Sequence, residues 1–107
     1  MIDVANYMDS LICETLRMPG VSRMRDDKKT HIAQKLSERF TTVMVDTLVD
    51  DLSAYDLLAI REFGVSSPGL HQKLNKILTQ APNLVAGVKT RLFLESEAIK
   101  LNPVILA

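Results

Sequence analysis

The fold of this chain is decided by one stretch, residues 27–51, which reads DKKTHIAQKLSERFTTVMVDTLVDD. Its apolar side chains recur every four residues, a series that runs on to the next apolar position and comprises Ile32, Leu36, Phe40, Met44, Leu48 and Leu52. On an α-helix this spacing brings successive side chains close together, whereas a half-buried strand would need strict alternation. The stretch is therefore predicted to form one long helix, roughly 37 Å from end to end at 1.5 Å per residue.

The apolar stripe of this predicted helix is not straight. Four residues turn an α-helix by one full turn plus about 40°, so the stripe moves through more than half a circle between Ile32 and Leu52. One straight antiparallel neighbour cannot cover it, because a two-stranded seam needs a mean period of about 3.5 residues. We expect different neighbours at its two ends. Val43, Val45 and Val49 widen the apolar surface of the C-terminal half, which is predicted to be the centre of the core or part of an interface.

The segment before residue 27 is predicted to hold one further helix. Asp3 is a suitable N-cap, and the helix should end before Pro19-Gly20. A polar connector over residues 21–25 would then lead to Asp26 and Asp27, which suit the start of the long helix. The positions expected to be buried are Val4, Tyr7, Met8, Leu11, Ile12 and Leu16.

Three more helix boundaries are marked after the long helix. Ser53 with Asp56 three residues later is a variant of the capping box, and Gly64 suits the left-handed position at a helix end. Ser67-Pro68 should begin a fourth helix, with serine as the cap and proline at the first helical position.

That fourth helix is predicted to stop near Pro82, and Asn83 is predicted to cap a fifth. The fifth should end near Asn102-Pro103, followed by an apolar tail over residues 104–106. The tail is expected either to fold back on the core or to contact another subunit.

These boundaries predict an all-α protein, a compact irregular bundle of about five helices around the central helix 27–51. A chain of 107 residues, of which 47% are hydrophobic and 24% charged, has the size and composition of a single globular domain over residues 1–107. No internal repeat is visible in it.

The charge balance and the cysteine content argue against several classes of protein. Thirteen basic residues balance thirteen acidic ones, so bulk charge would not attract the chain to nucleic acid or to an anionic membrane. A single cysteine, Cys13, allows no disulfide within the chain and no four-ligand zinc site. With no recognisable secretory signal or membrane span either, the sequence predicts a cytoplasmic protein without a cofactor.

Candidate catalytic and metal-binding residues are few. Asp46 and Asp50 lie four apart near other acids and could hold a divalent ion, although solvated acids near a helix end are much commoner. Asp27 and His31 could pair on one turn but have no nucleophile or metal partner in view. Cys13 is interpreted as a half-buried structural thiol. We therefore expect no catalytic, cofactor-binding or metal-binding residues, and no enzymatic activity.

Residues 57–75 suggest a different function. The run from Gly64 to Asn75 reads GVSSPGLHQKLN, and a helix, a short turn and a second helix match the spacing of a helix-turn-helix. It resembles the turn and recognition helix of sugar-repressor-type DNA-binding proteins, although Ile60 stands where that family has a small residue. The resemblance implies DNA contacts from the exposed polar residues of the second helix, which are His71, Gln72, Lys73 and Lys76.

A broader resemblance covers residues 30–100. The long amphipathic helix, the break LSAYDL over residues 52–57 and the restart APNL over residues 81–84 are similar to a family of small all-helical bacterial proteins of unknown function. This resemblance implies a helical fold and assigns no activity.

The sequence as a whole favours a protein–protein interaction or assembly module, with a possible homo-oligomer. The residues expected at the interface are Val45, Val49, Val104, Ile105 and Leu106. The alternative is a DNA-binding helix-turn-helix protein, and nucleic acid is expected as a partner only in that case.

Overall fold

The computed structural model describes residues 4–66 and 69–101, apart from the side chains of residues 5 and 66. Within these residues the chain forms α-helices and 3₁₀ turns and no strand, so the predicted all-α bundle is confirmed. The helices are α1 (Val4–Leu16), α2 (Pro19–Ser22), α3 (Asp26–Thr47), α4 (Ala54–Phe63), α5 (Leu70–Gln80) and α6 (Asn83–Leu101). Two 3₁₀ turns, Val49–Asp51 and Gly64–Ser66, lie on either side of α4.

Helix α3 is the centre of the bundle. All six apolar residues of the predicted stripe, from Ile32 to Leu52, are buried, and α1 and α6 are its main neighbours. A stripe that turns around the helix is thus shared between more than one partner, as the four-residue spacing requires. The buried apolar residues of α1, α2, α3, α5 and α6 join in one core.

The predicted C-terminal end of the long helix is wrong by four residues. Helix α3 ends at Thr47, Leu48 leaves the helical conformation, and the chain continues as the 3₁₀ turn Val49–Asp51. Threonine, valine and aspartate are weak helix formers, and carboxylates near a helix C-terminus oppose the helix dipole. No basic residue in the last turn of α3 offsets them, so the helix stops early.

The predicted polar connector over residues 21–25 is also wrong in part. The first helix does end before Pro19, as expected, but Pro19 then begins the one-turn helix α2. Proline suits this first helical position because its missing N–H would have no partner there. Val21 of α2 is buried, which anchors the segment to the core. The predicted cap Asp3 lies outside the described residues.

The capping box at the start of α4 is confirmed. The Asp56 N–H donates to Ser53 Oγ at 3.1 Å, and the Ser53 N–H donates to Asp56 Oδ2 at 3.3 Å. Helix α4 ends where predicted, since Gly64 follows it with a φ of 72° that favours glycine.

The last two helices differ from prediction at their starts. Helix α5 begins at Leu70, after Gly69 with a φ of 78°, and the predicted start Ser67-Pro68 lies outside the described residues. Asn83 is the first residue of α6 instead of its cap, and the described part of α6 runs to Leu101, close to the predicted end.

Ser96 is an exception in the core. Its side chain is fully buried in α6, and its hydroxyl has no hydrogen-bond partner. The equally buried Thr15 hydroxyl, in contrast, donates to the Leu11 carbonyl oxygen at 3.0 Å. A buried polar group without a partner costs roughly 1–3 kcal/mol, whereas a satisfied hydrogen bond contributes about 1 kcal/mol.

We therefore expect Ser96→Ala to raise the free energy of unfolding by about 1 kcal/mol, because it removes the unpaired hydroxyl and introduces a better helix former. The matched control Thr15→Val should lower it by about 1 kcal/mol, because a satisfied hydroxyl is lost. Urea unfolding followed by circular dichroism measures both, and a loss of stability in Ser96→Ala would contradict the prediction.

Candidate functional site

Helix α4 exposes several large apolar side chains on its outward side. No side chain of α4 is fully buried, although five of its ten residues are large and apolar. Tyr55, Leu58 and Phe63 are 80%, 59% and 65% exposed. Tyr55 and Leu58 lie three residues apart on one side of the helix, and Phe63 lies at its C-terminal end. These three residues are called the α4 surface below.

A groove between α4 and α5 adjoins this surface. Its cavity has a volume of about 430 Å³, and apolar residues line much of it. The apolar lining comes from Tyr55, Ala59, Ile60 and Leu70. Polar side chains border it, among them Asp56, Gln72, Lys73 and Lys76. An apolar floor with a charged border is the usual composition of a contact site for another macromolecule.

An ion pair connects the two walls of the groove. Lys73 on α5 donates to Asp56 on α4, whose carboxylate also takes part in the capping box. The hydrogen bond from Lys73, followed by that from Ser53, holds the pKa of Asp56 below the usual value of 3.8. One carboxylate therefore fixes both the start of α4 and its position beside α5.

The hydrogen bonds of Asp56 predict that the stability of α4 depends on pH. Because the pKa of Asp56 is lowered in the folded state, its contribution to stability is present above about pH 3.8 and is lost as the pH falls below that value. Amide exchange in α4, corrected for the intrinsic effect of pH, should therefore accelerate as the pH is lowered from about 4 towards 2 in the native chain, in which α4 is otherwise held by few contacts.

The substitution Asp56→Asn tests whether Asp56 holds α4 in place. At pH 6 it should reduce exchange protection in α4 by about twofold to fivefold, as expected for loss of an exposed ion pair and part of a helix cap, while α3 keeps its protection. The matched control Glu62→Gln, which also removes one α4 carboxylate, should behave as the native chain. Equal effects of the two substitutions on exchange in α4 would show that Asp56 does not stabilise this helix more than Glu62 does.

The predicted interface residues differ in their exposure in the structure. Val45 is only 8% exposed and belongs to the core, because the apolar face of α3 is wide enough to include it. Val49 is 42% exposed in the 3₁₀ turn that follows α3. Residues 104–106 lie outside the described residues. Of the predicted residues that the structure describes, Val49 alone is exposed, and it lies six residues before Tyr55, where the α4 surface begins.

The α4 surface was missed by sequence reasoning, which expects the apolar side of this helix to consist of Leu57, Leu58, Ile60 and Phe63. Of these, Leu57, Leu58 and Phe63 are exposed. A signal was present in the distribution of its apolar residues, because Ile60 lies on the side of the helix opposite to Tyr55 and Leu58. One buried face cannot accommodate all of them.

All four predicted DNA-contacting residues, His71, Gln72, Lys73 and Lys76, are exposed on α5. Lys73, however, is paired with Asp56, and the same carboxylate would repel a phosphate placed beside it. Leu57 and Leu58 of α4 are exposed instead of closing against α5, unlike the packed helix pair of a typical helix-turn-helix. His71 Nε2 lies 3.5 Å from the Oγ1 of Thr41 on α3.

The other predicted chemical groups do not converge. Asp27, His31, Asp46 and Asp50 are exposed, and no group of three or more potential metal ligands occurs in residues 4–66 and 69–101. Cys13 is exposed and not half-buried as expected, because it lies about 200° around α1 from the buried Leu11.

No protein-family model, curated protein or solved structure matches this chain. The two resemblances inferred from sequence therefore stay predictions. None of the helices in the described part of the chain is long and apolar enough to cross a bilayer.

Proposed function

We propose that this protein is a protein–protein interaction or assembly module, and that the α4 surface with the adjoining groove is its contact site. One observation carries the proposal: α4 buries no side chain fully, yet exposes Tyr55, Leu58 and Phe63. Large apolar side chains that lie singly on a surface need no explanation, but three on one ten-residue helix form a concentrated patch.

The energetics of α4 support this proposal. An isolated helix of ten residues is marginal in water, and α4 gains little from the core. It is held by the capping box, by the Lys73–Asp56 ion pair and by partly buried residues such as Ile60. A partner that covered its outward side would gain about 1.5–3 kcal/mol for each large apolar side chain buried.

The composition of the patch supports the same proposal. Tyrosine and phenylalanine are enriched in interface cores, and a tyrosine 80% exposed at the mouth of an apolar groove offers both a flat apolar ring and a hydroxyl. Bound in a partner's pocket, such a residue typically contributes a large share of the binding energy.

Site-specific photo-crosslinking tests the proposal. A photoreactive amino acid placed at Tyr55 or Leu58 in cells that express the chain should give a discrete protein adduct, whether with another protein or with a second copy. The same amino acid at Gln34, an exposed polar position on α3, is the matched control and should give none. Absence of adducts at Tyr55, Leu58 and Phe63 alike would contradict the proposal.

The DNA-binding alternative is supported by the exposed His71, Gln72 and Lys76 and by the turn at Gly64. It is opposed by the pairing of Lys73.

A contact site for protein requires no affinity for DNA, so we expect no binding to duplex DNA at low ionic strength in fluorescence anisotropy. Binding that weakens steeply with salt and is reduced by Lys76→Ala, but not by the control Arg91→Ala on α6, would favour the alternative.

A further inference from the structure

Helix α3 separates two exposed clusters of opposite charge. The basic end consists of Arg23, Arg25 and Lys28, just before and at the start of α3. The exposed Asp26 and Asp27 lie among them, and with Lys29 residues 23–29 carry four basic and two acidic side chains, a net charge of +2. The acidic end consists of Asp46, Asp50 and Asp51, in the last turn of α3 and the 3₁₀ turn that follows it. Residues 17–29 contain five basic and two acidic residues, whereas residues 46–60 contain four aspartates and no lysine or arginine.

Neither cluster is paired with an opposite charge in the described residues. In the part of the molecule that the structure describes, none of these six side chains forms an ion pair. The 22 residues of α3 keep the two ends roughly 32 Å apart, several times the Debye length of about 8 Å at physiological salt. The two clusters of one molecule therefore cannot pair with each other.

The acidic end is also in an unfavourable place. Carboxylates at a helix C-terminus add to the negative end of the helix dipole, and α3 has no basic residue in its last turn to offset them. A cation supplied from outside would relieve both sources of repulsion. The basic end of another molecule carries positive charge and is as exposed as the acidic end.

Apolar surface accompanies both charged clusters. The acidic end leads directly into the α4 surface, with the exposed Val49 between two of its aspartates and Tyr55 four residues beyond Asp51. At the basic end, the exposed Met24 lies between Arg23 and Arg25. Each end thus combines an apolar centre with a charged border, which is the arrangement found in protein interfaces.

From this complementarity we propose that the α4 surface and the acidic end bind the basic end of a second copy, so that copies associate head to tail. The inference rests on the proposed function and names its partner. A contact between two different ends leaves one free end on each molecule, so association continues into longer chains or closes into a ring. The zero net charge of the chain adds no overall repulsion between copies.

Charge reversal at one end at a time tests the proposal. Asp50→Lys/Asp51→Lys makes both ends basic, and Arg23→Glu/Arg25→Glu makes both ends acidic. All four positions are exposed, so circular dichroism should confirm that both variants fold. In sedimentation velocity, the native chain should form concentration-dependent oligomers at low salt that dissociate at high salt, and each variant alone should be monomeric.

The decisive sample is the equimolar mixture of the two variants. Its components carry complementary ends, so the mixture should recover association that each lacks alone. The matched control for Asp50→Lys/Asp51→Lys is Asp9→Lys/Glu38→Lys, which makes the same change in net charge at exposed positions outside both ends and should oligomerise as the native chain does. Leu58→Ser should weaken the association of the native chain, because it reduces the apolar part of the contact.

Three outcomes would overturn the proposal: a native chain that stays monomeric at low salt, reversed variants that still associate alone, or a mixture that does not. If the native chain is monomeric but Leu58 still crosslinks to a different protein, head-to-tail pairing is wrong and the interaction module stands. If neither self-association nor crosslinking occurs, both proposals fail.

Discussion

Burial of the four-residue stripe of α3 is the constraint on which the rest of the structure depends. Because each step of four residues turns the stripe by about 40°, its two ends cannot face the same neighbour. Helices α1 and α6 are its main partners, and the residues from Ile32 to Leu52 are excluded from water between them and the remaining core elements. The exposed Arg39–Glu95 and Lys100–Glu14 ion pairs join the same helices but contribute little beside the apolar contacts.

The same constraint accounts for the position of α4. Once α1, α2, α5 and α6 contribute their apolar residues to the core around α3, α4 lies beside it and makes only partial contacts through residues such as Ile60. It is fixed by polar interactions at its first turn, where Asp56 serves the capping box and the ion pair with Lys73 together. An apolar helix held in place by polar contacts keeps its apolar side available to a partner.

Helix boundaries could be predicted from the sequence where a few neighbouring residues determine them. The Ser53–Asp56 capping box, the glycine at position 64 and the end of α1 before Pro19 each depend on a few neighbouring residues, and each was read correctly from sequence. The errors came from competition between local effects, as at Thr47, where weak helix formers and unfavourable carboxylates ended α3 inside an apolar pattern that continued to Leu52. Cys13 was misplaced because only the packing of α1 determined which of its flanks faced the core.

The sequence by itself determined that the chain is helical and which residues form the stripe of α3. These are properties of spacing and composition, and they do not depend on what packs against what. Only the tertiary structure decided that Val45 is core, that Tyr55, Leu58 and Phe63 remain exposed, and that Lys73 is paired with Asp56. An apolar residue is buried only if a neighbour covers it, and the supply of neighbours is fixed by the whole bundle and not by any one segment.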